Sequence, residues 1–226
     1  MLSRQAAVER LCNKGVIAII RAPSGERLVE VARAILRGGV DCTEITMTTP
    51  DALKVINECR SAMPEALIGV GSVLDGRMAR EAIRAGAQFV ISPVFCPEVV
   101  EAAHASDLPV IPGAFSPTEV FHAAAGGADI VKVFPAGQLG PGYLRDILAP
   151  MPHLKLSPTG GVDLKTAGAW VLAGAVTLGI GSSLVTKAAL AAGDFAAIED
   201  LARQYVRIVA DARVARRGSR PTGTGT

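Results

Sequence analysis

The chain has 226 residues, half of them hydrophobic and only 4% aromatic, so its core must come from Ala, Val, Ile and Leu, which suits helices packed on a sheet better than an aromatic-rich sandwich. The formal net charge is +2, but four arginines fall between Arg213 and Thr226, which leaves the body at −2 and without the basic face that a nucleic-acid binder needs. Cys12, Cys42, Cys59 and Cys96 show no CxxC spacing and no clustered histidines, which points to reduced thiols and a cytoplasmic protein.

Ser3 to Asn13 reads as a short helix ahead of the first strand. It carries Arg4, Glu9 and Arg10 and lacks the apolar run of a secretory signal. "GVIAIIRA" then predicts a strand over 16–21. From there one pattern repeats: an amphipathic helix ending in glycine, then a short apolar strand. "ILRGGVDCTEIT" shows it around Gly39, "AIRAGAQFVIS" around Gly86, "AAAGGADIVKVF" around Gly127 and "VLAGAVTLGIG" around Gly174, at intervals of 47, 41 and 47 residues. Glycine just past a helix accepts the left-handed conformation that closes its last turn. "ALIGVG", "LPVIP" and "HLKLSP" supply the intervening strands. The predicted strands therefore lie near 16–21, 41–46, 66–71, 88–92, 108–112, 129–134, 154–158 and 176–181.

Eight strands alternating with helices predict a parallel sheet closed as a (β/α)8 barrel. The competing open, doubly wound sheet would more naturally bring a GxGxxG fingerprint after its first strand, and none is present. Ala167 to Val185 is uncharged and long enough for a membrane span, but Gly168, Gly174, Gly179 and Gly181 divide it into a helix and a strand, so no membrane contact is expected. "FAAIEDLARQYVRIVADAR" forms a long amphipathic helix that ends a single domain over 1–213. Residues 214–226, rich in Arg, Gly and Thr, read as a disordered tail.

Active sites of such barrels lie at the C-terminal ends of the strands. The residues predicted there include Arg21, Glu44, Thr48, Ser72, Pro93, Lys132 and Phe134, then Thr159, Gly160 and Gly161, then Gly181, Ser182 and Ser183. No histidine and no paired-carboxylate cluster falls among them, so neither a metal nor another cofactor is implied. Lys132 and Glu44 are ionisable groups set in apolar strands. A desolvated lysine presents a neutral amine able to attack a carbonyl, and a neighbouring glutamate can move the protons. The same spacing suits a buried Lys–Glu ion pair that merely fills the interior. "SPTGGV" and "GIGSSLV" are uncharged, glycine- and hydroxyl-rich strand ends, placed where barrels commonly bind phosphate.

"EITMTTP", "GVGSVLD", "FVISPVF", "VIPGAFSPTE", "VKVFPAGQLGP" and "SPTGGV" occur in order, and from about Gly15 to Val185 the chain resembles the bacterial aldolases for 2-keto-3-deoxy-6-phosphogluconate (KDPG) and 4-hydroxy-2-oxoglutarate (KHG). The resemblance implies a (β/α)8 barrel, a cofactor-free class I Schiff-base mechanism and a homotrimer. It implies Lys132 as the Schiff-base lysine, Glu44 as general acid/base, Ser72 near the pyruvate carboxylate, and Pro93 and Phe134 along the pocket. Thr159, Gly160, Gly161 and Ser183 would take the phosphate, with Gly181 and Ser182 beside them. Some members carry an arginine four residues after the glutamate, where this chain has Thr48. Arg21, in "IIRAPS", stands where another branch has one and would replace it as the carboxylate clamp. The expected reaction cleaves KDPG to pyruvate and D-glyceraldehyde 3-phosphate, with KHG or the galactonate epimer as alternative substrates. A phosphate-binding isomerase or epimerase, and a non-catalytic scaffold using its Arg-rich tail, are the readings from other classes.

Overall fold

The protein is described by a computed structural model covering residues 2–218. Helix α1 (Arg4–Lys14) opens on Ser3, whose hydroxyl accepts the Ala6 N–H, and closes on Gly15, left-handed at φ 73° with its N–H donated to the Leu11 carbonyl. The strands are β1 (Val16–Ile20), β2 (Cys42–Thr46), β3 (Leu67–Gly71), β4 (Val90–Ile91), β5 (Val110–Ile111), β6 (Gly113–Ala114), β7 (Val131–Val133), β8 (Leu156–Pro158) and β9 (Leu178–Ile180). Between them run α2 (Leu28–Arg37), α3 (Ala52–Ala62), α4 (Gly76–Arg84), α5 (Pro97–His104), α6 (Pro117–Ala125), α7 (Gly140–Leu148) and α8 (Ala167–Leu172). After β9 come α9 (Lys187–Ala192) and α10 (Phe195–Gly218).

Period-2 alternation sorts the strand residues into two apolar clusters. Val16, Ala18, Ile20, Ile45, Ile68, Val70, Val131 and Val133 pack outward with the helices. Ile17, Cys42, Leu67, Phe89, Ile111 and Ile130 pack inward, against Ala7 and Leu11 of α1. The N-terminal helix thus plugs the interior, and Glu44 and Lys132 share the inward parity of Cys42 and Ile130. The architecture is α/β, with a curled parallel sheet inside and helices outside.

All strand pairs are parallel. They form a six-stranded sheet, β5-β4-β3-β2-β1-β9, and a three-stranded sheet, β6-β7-β8. Nine short strands in two ladders thus stand where eight strands in one sheet were expected. The segment near 108–112 becomes two short strands about Pro112, a residue with no N–H to give to a ladder. β5 pairs with β4 and β6 with β7, while the Pro112 carbonyl accepts the Lys132 N–H at 2.9 Å.

Helix α10 continues through Gly218, five residues into the segment read as tail, and residues 219–226 lie outside the described residues. The continuation has a partner, as Arg216 donates to the Val171 carbonyl, and just before it Arg213 donates to the carbonyls of Cys12, Asn13 and Val176. Ala167–Val185 resolves into α8, β9 and turns, and no helix among the described residues is long and apolar enough to cross a membrane.

Arg213 ties α10 to the end of α1 and the approach to β9. Arg213→Ala leaves three carbonyls without a charged donor and is expected to cost about 2 kcal/mol. Thermal unfolding should show Tm lower by roughly 4–8 °C.

Candidate active site

Glu44 lies in the middle of β2, in register with Ile19 of β1 and Gly69 of β3. It is almost wholly buried, and Gly71 makes room for it, since a Cβ at that position would collide with the Glu44 carboxylate. Its Oε2 is buried with no hydrogen-bond partner. Burial pushes the Glu44 carboxyl above the usual range, and the charges of Lys132 and Arg21 partly offset the rise.

Lys132 sits on β7 between Gly113 of β6 and Ser157 of β8, with 7% of its surface exposed. Its amine lies 4.8 Å from the centre of the Phe134 ring. Among the described residues no carboxylate forms an ion pair with it, Glu44 included. Burial lowers its pKa, the Glu44 charge raises it, and the Arg21 charge lowers it again. The buried ion pair that the sequence left open as an alternative is therefore absent. In its place are two separated ionisable groups, each shifted toward its neutral form and facing one cavity.

That cavity has a volume of about 1000 Å³. Arg21 reaches over it from the end of β1 and donates to the Ser72 hydroxyl at 3.3 Å. Ser72 is left-handed (φ 60°), an uncommon conformation for a residue with a side chain and one that recurs at functional sites. Pro93 and Phe134 line the wall. The buried Thr159 continues β8, bridges to Gly179 of β9 and packs its side chain where any Cβ at Gly179 would stand. Gly160 and Gly161 follow, left-handed at φ 82° and 79°, and the Gly160 carbonyl accepts the Gly137 N–H at 2.7 Å. Among the described residues nothing accepts the N–H groups of Gly160, Gly161, Ser182 or Ser183.

The structure brings every predicted site residue to this cavity except Thr48. Thr48 is exposed, because the chain turns back where the Thr49 N–H meets the Thr46 carbonyl, and its hydroxyl bonds the Thr46 hydroxyl at 3.0 Å. Two further details concern the loops after β8 and β9. The Ser183 hydroxyl donates to the Val162 carbonyl at 2.7 Å, so its proton joins the two loops. The helices that follow these two loops begin farther on, α8 at Ala167 and α9 at Lys187. The sequence reading missed Arg27, Asp163 and Lys187, which also line the cavity. Arg27 heads an amphipathic segment, and no local signal in the sequence separates it from Arg33 and Arg37, which follow.

Comparison with known proteins bears on this arrangement. The family described as KDPG and KHG aldolase matches residues 8–201. A 2-dehydro-3-deoxy-phosphogluconate aldolase of Treponema pallidum (strain Nichols) is 37% identical over 210 residues, 92% of this chain and 99% of that protein. The KHG/KDPG aldolase of Escherichia coli (strain K12) is 33% identical over 208 residues, 91% of this chain and 98% of that one. The structure is similar to that of the KDPG aldolase of Legionella pneumophila, described with pyruvate captured as a covalent carbinolamine intermediate. The TM-score is 0.78 with 31% identity, covering 84% of this chain and 92% of that one. With most of its length matched and its inward lysine and glutamate facing one cavity, the chain belongs to the KDPG and KHG aldolase family.

Proposed function

We propose that this chain is a class I aldolase that cleaves 2-keto-3-deoxy-6-phosphogluconate to pyruvate and D-glyceraldehyde 3-phosphate, and that it also accepts 4-hydroxy-2-oxoglutarate. The observation that carries the reading is the buried Lys132 amine, which forms no close ion pair among the described residues and is open to the cavity beside Glu44. Lys132 attacks the C2 ketone, and the carbinolamine loses water to give an iminium. Glu44 takes the proton of the C4 hydroxyl, directly or through a water, and the C3–C4 bond breaks. Its electron pair passes into the iminium as an enamine, and the aldehyde departs. Glu44 then returns a proton to C3, and hydrolysis of the resulting iminium frees pyruvate.

Arg21 and Ser72 hold the substrate carboxylate, and Arg21 has a second effect: its charge favours the neutral form of Lys132. Pro93 and Phe134 shape the pocket. Thr159, Gly160, Gly161, Gly181, Ser182 and Ser183 form an uncharged cradle for the phosphate, built on loop N–H groups.

The scaffold under this reading is a (β/α)8 barrel in one domain over 1–213. Two observations support closure. The segment Val110–Ala114 is bonded on both sides, and Thr159 bridges to Gly179. Leu74, Val94, Phe115 and Phe121, large side chains exposed on successive connections and on α6, support assembly as a homotrimer. The cysteines are free, in keeping with a cytoplasmic location.

Incubation with pyruvate and sodium borohydride followed by intact mass and peptide mapping should give one pyruvyl adduct, on Lys132. Absence of an adduct from folded protein would return Lys132 to a structural role and favour an isomerase. Removal of the Glu44 carboxylate removes the charge that favours the ammonium form of Lys132. In Glu44→Gln the acid limb of the trapping rate should therefore move to lower pH, while kcat for cleavage falls by about 10²- to 10⁴-fold.

A further inference from the structure

The cavity continues beyond the groups assigned so far, to Arg27 at the head of α2 and Lys187, the first residue of α9. Both stand at helix starts on the cavity wall. Lys187 follows Ser182 and Ser183 in the chain, and Arg27 lies across from it, with its guanidinium over Gly193 and over the Phe195 ring at 4.6 Å. Arg27 takes a left-handed backbone (φ 59°), as Ser72 does on the same cavity. Stacking on a ring fixes a guanidinium while leaving its N–H edges available to an anion. Among the described residues neither Arg27 nor Lys187 is paired with a carboxylate.

The charges on this wall explain why two cations are needed there. The cradle offers hydroxyls and backbone N–H groups but no cation. Asp163, which also lines the cavity, is held ionised by hydrogen bonds from the Thr166 hydroxyl and the N–H groups of Thr166 and Lys165, each at 2.9 Å. Glu26 adds a second carboxylate on the solvent side. A phosphate dianion on the cradle would face like charge from both. We infer that Arg27 and Lys187 form an outer cationic subsite that sets the preference for substrates ending in a phosphate over shorter ones ending in a carboxylate. This rests on the aldolase reading above and adds to it the residues that decide between its substrates.

The test compares wild type with the Arg27→Ala/Lys187→Gln double variant. The ratio of kcat/KM for KDPG to kcat/KM for KHG should fall about tenfold or more, through KM for KDPG. Arg27→Lys, which keeps the charge, should lose less. An unchanged ratio would overturn the inference. A binding measurement keeps the outcome independent of turnover. Calorimetric titration with glycerol 3-phosphate should show binding weaker by about tenfold in the double variant, with the difference shrinking as salt is raised. Equal affinity in the two proteins would overturn the subsite. Weaker binding in the variant without turnover by wild type would support the subsite and count against the aldolase reading instead. Melting curves of the variants check that they are folded.

Discussion

Desolvation of two ionisable groups on the inward face of a parallel sheet is the constraint on which the site depends. Glu44 and Lys132 occupy positions that alternation assigns to the interior, directly beyond the apolar layer of Cys42 and Ile130. Away from water each charge is costly, and each pKa moves toward neutrality for that reason first. Had the two met as a close ion pair, their attraction would have held both charged and left the amine unreactive. Under the proposed mechanism, their separation keeps the amine available as nucleophile and the carboxyl able to exchange protons. The glycine at position 71, with no side chain to compete for the space above β2, lets the glutamate lie where it does.

Much of this arrangement is legible in the amino-acid sequence. The glycine-closed helices and the apolar runs place the strands closely, because both signals are local and obey fixed periods. β1, β2 and β3 fall within the ranges that the sequence predicts. The fifth segment is less legible: "LPVIP" reads as a strand, but the change of partner at Pro112 follows from a missing N–H whose consequence depends on neighbours distant in the chain. The C-terminal helix overruns its expected end for a similar reason. Arg216, in the segment that looks like a solvated tail, finds the Val171 carbonyl on α8.

The site divides in the same way. Residues at strand ends are recoverable because the topology fixes where strand ends point. Thr48 is not, since its direction is set by the turn that follows β2. Arg27 and Lys187 lie at the heads of helices and enter the cavity only because α2, α9 and the start of α10 converge there. Sequence periodicity describes each helix alone and carries nothing about that convergence.

Strand order has a consequence for stereochemistry. Glu44 belongs to the six-stranded sheet, between the strands that end at Arg21 and Ser72, whereas Lys132 belongs to the three-stranded one. Under the proposed mechanism the planar enamine is anchored covalently at one wall, with its carboxylate pinned above the strand that carries the acid. Only one of its faces is then turned toward Glu44. The handedness of bond making at C3 follows from which strands are neighbours, so it is a property of the topology as much as of any side chain.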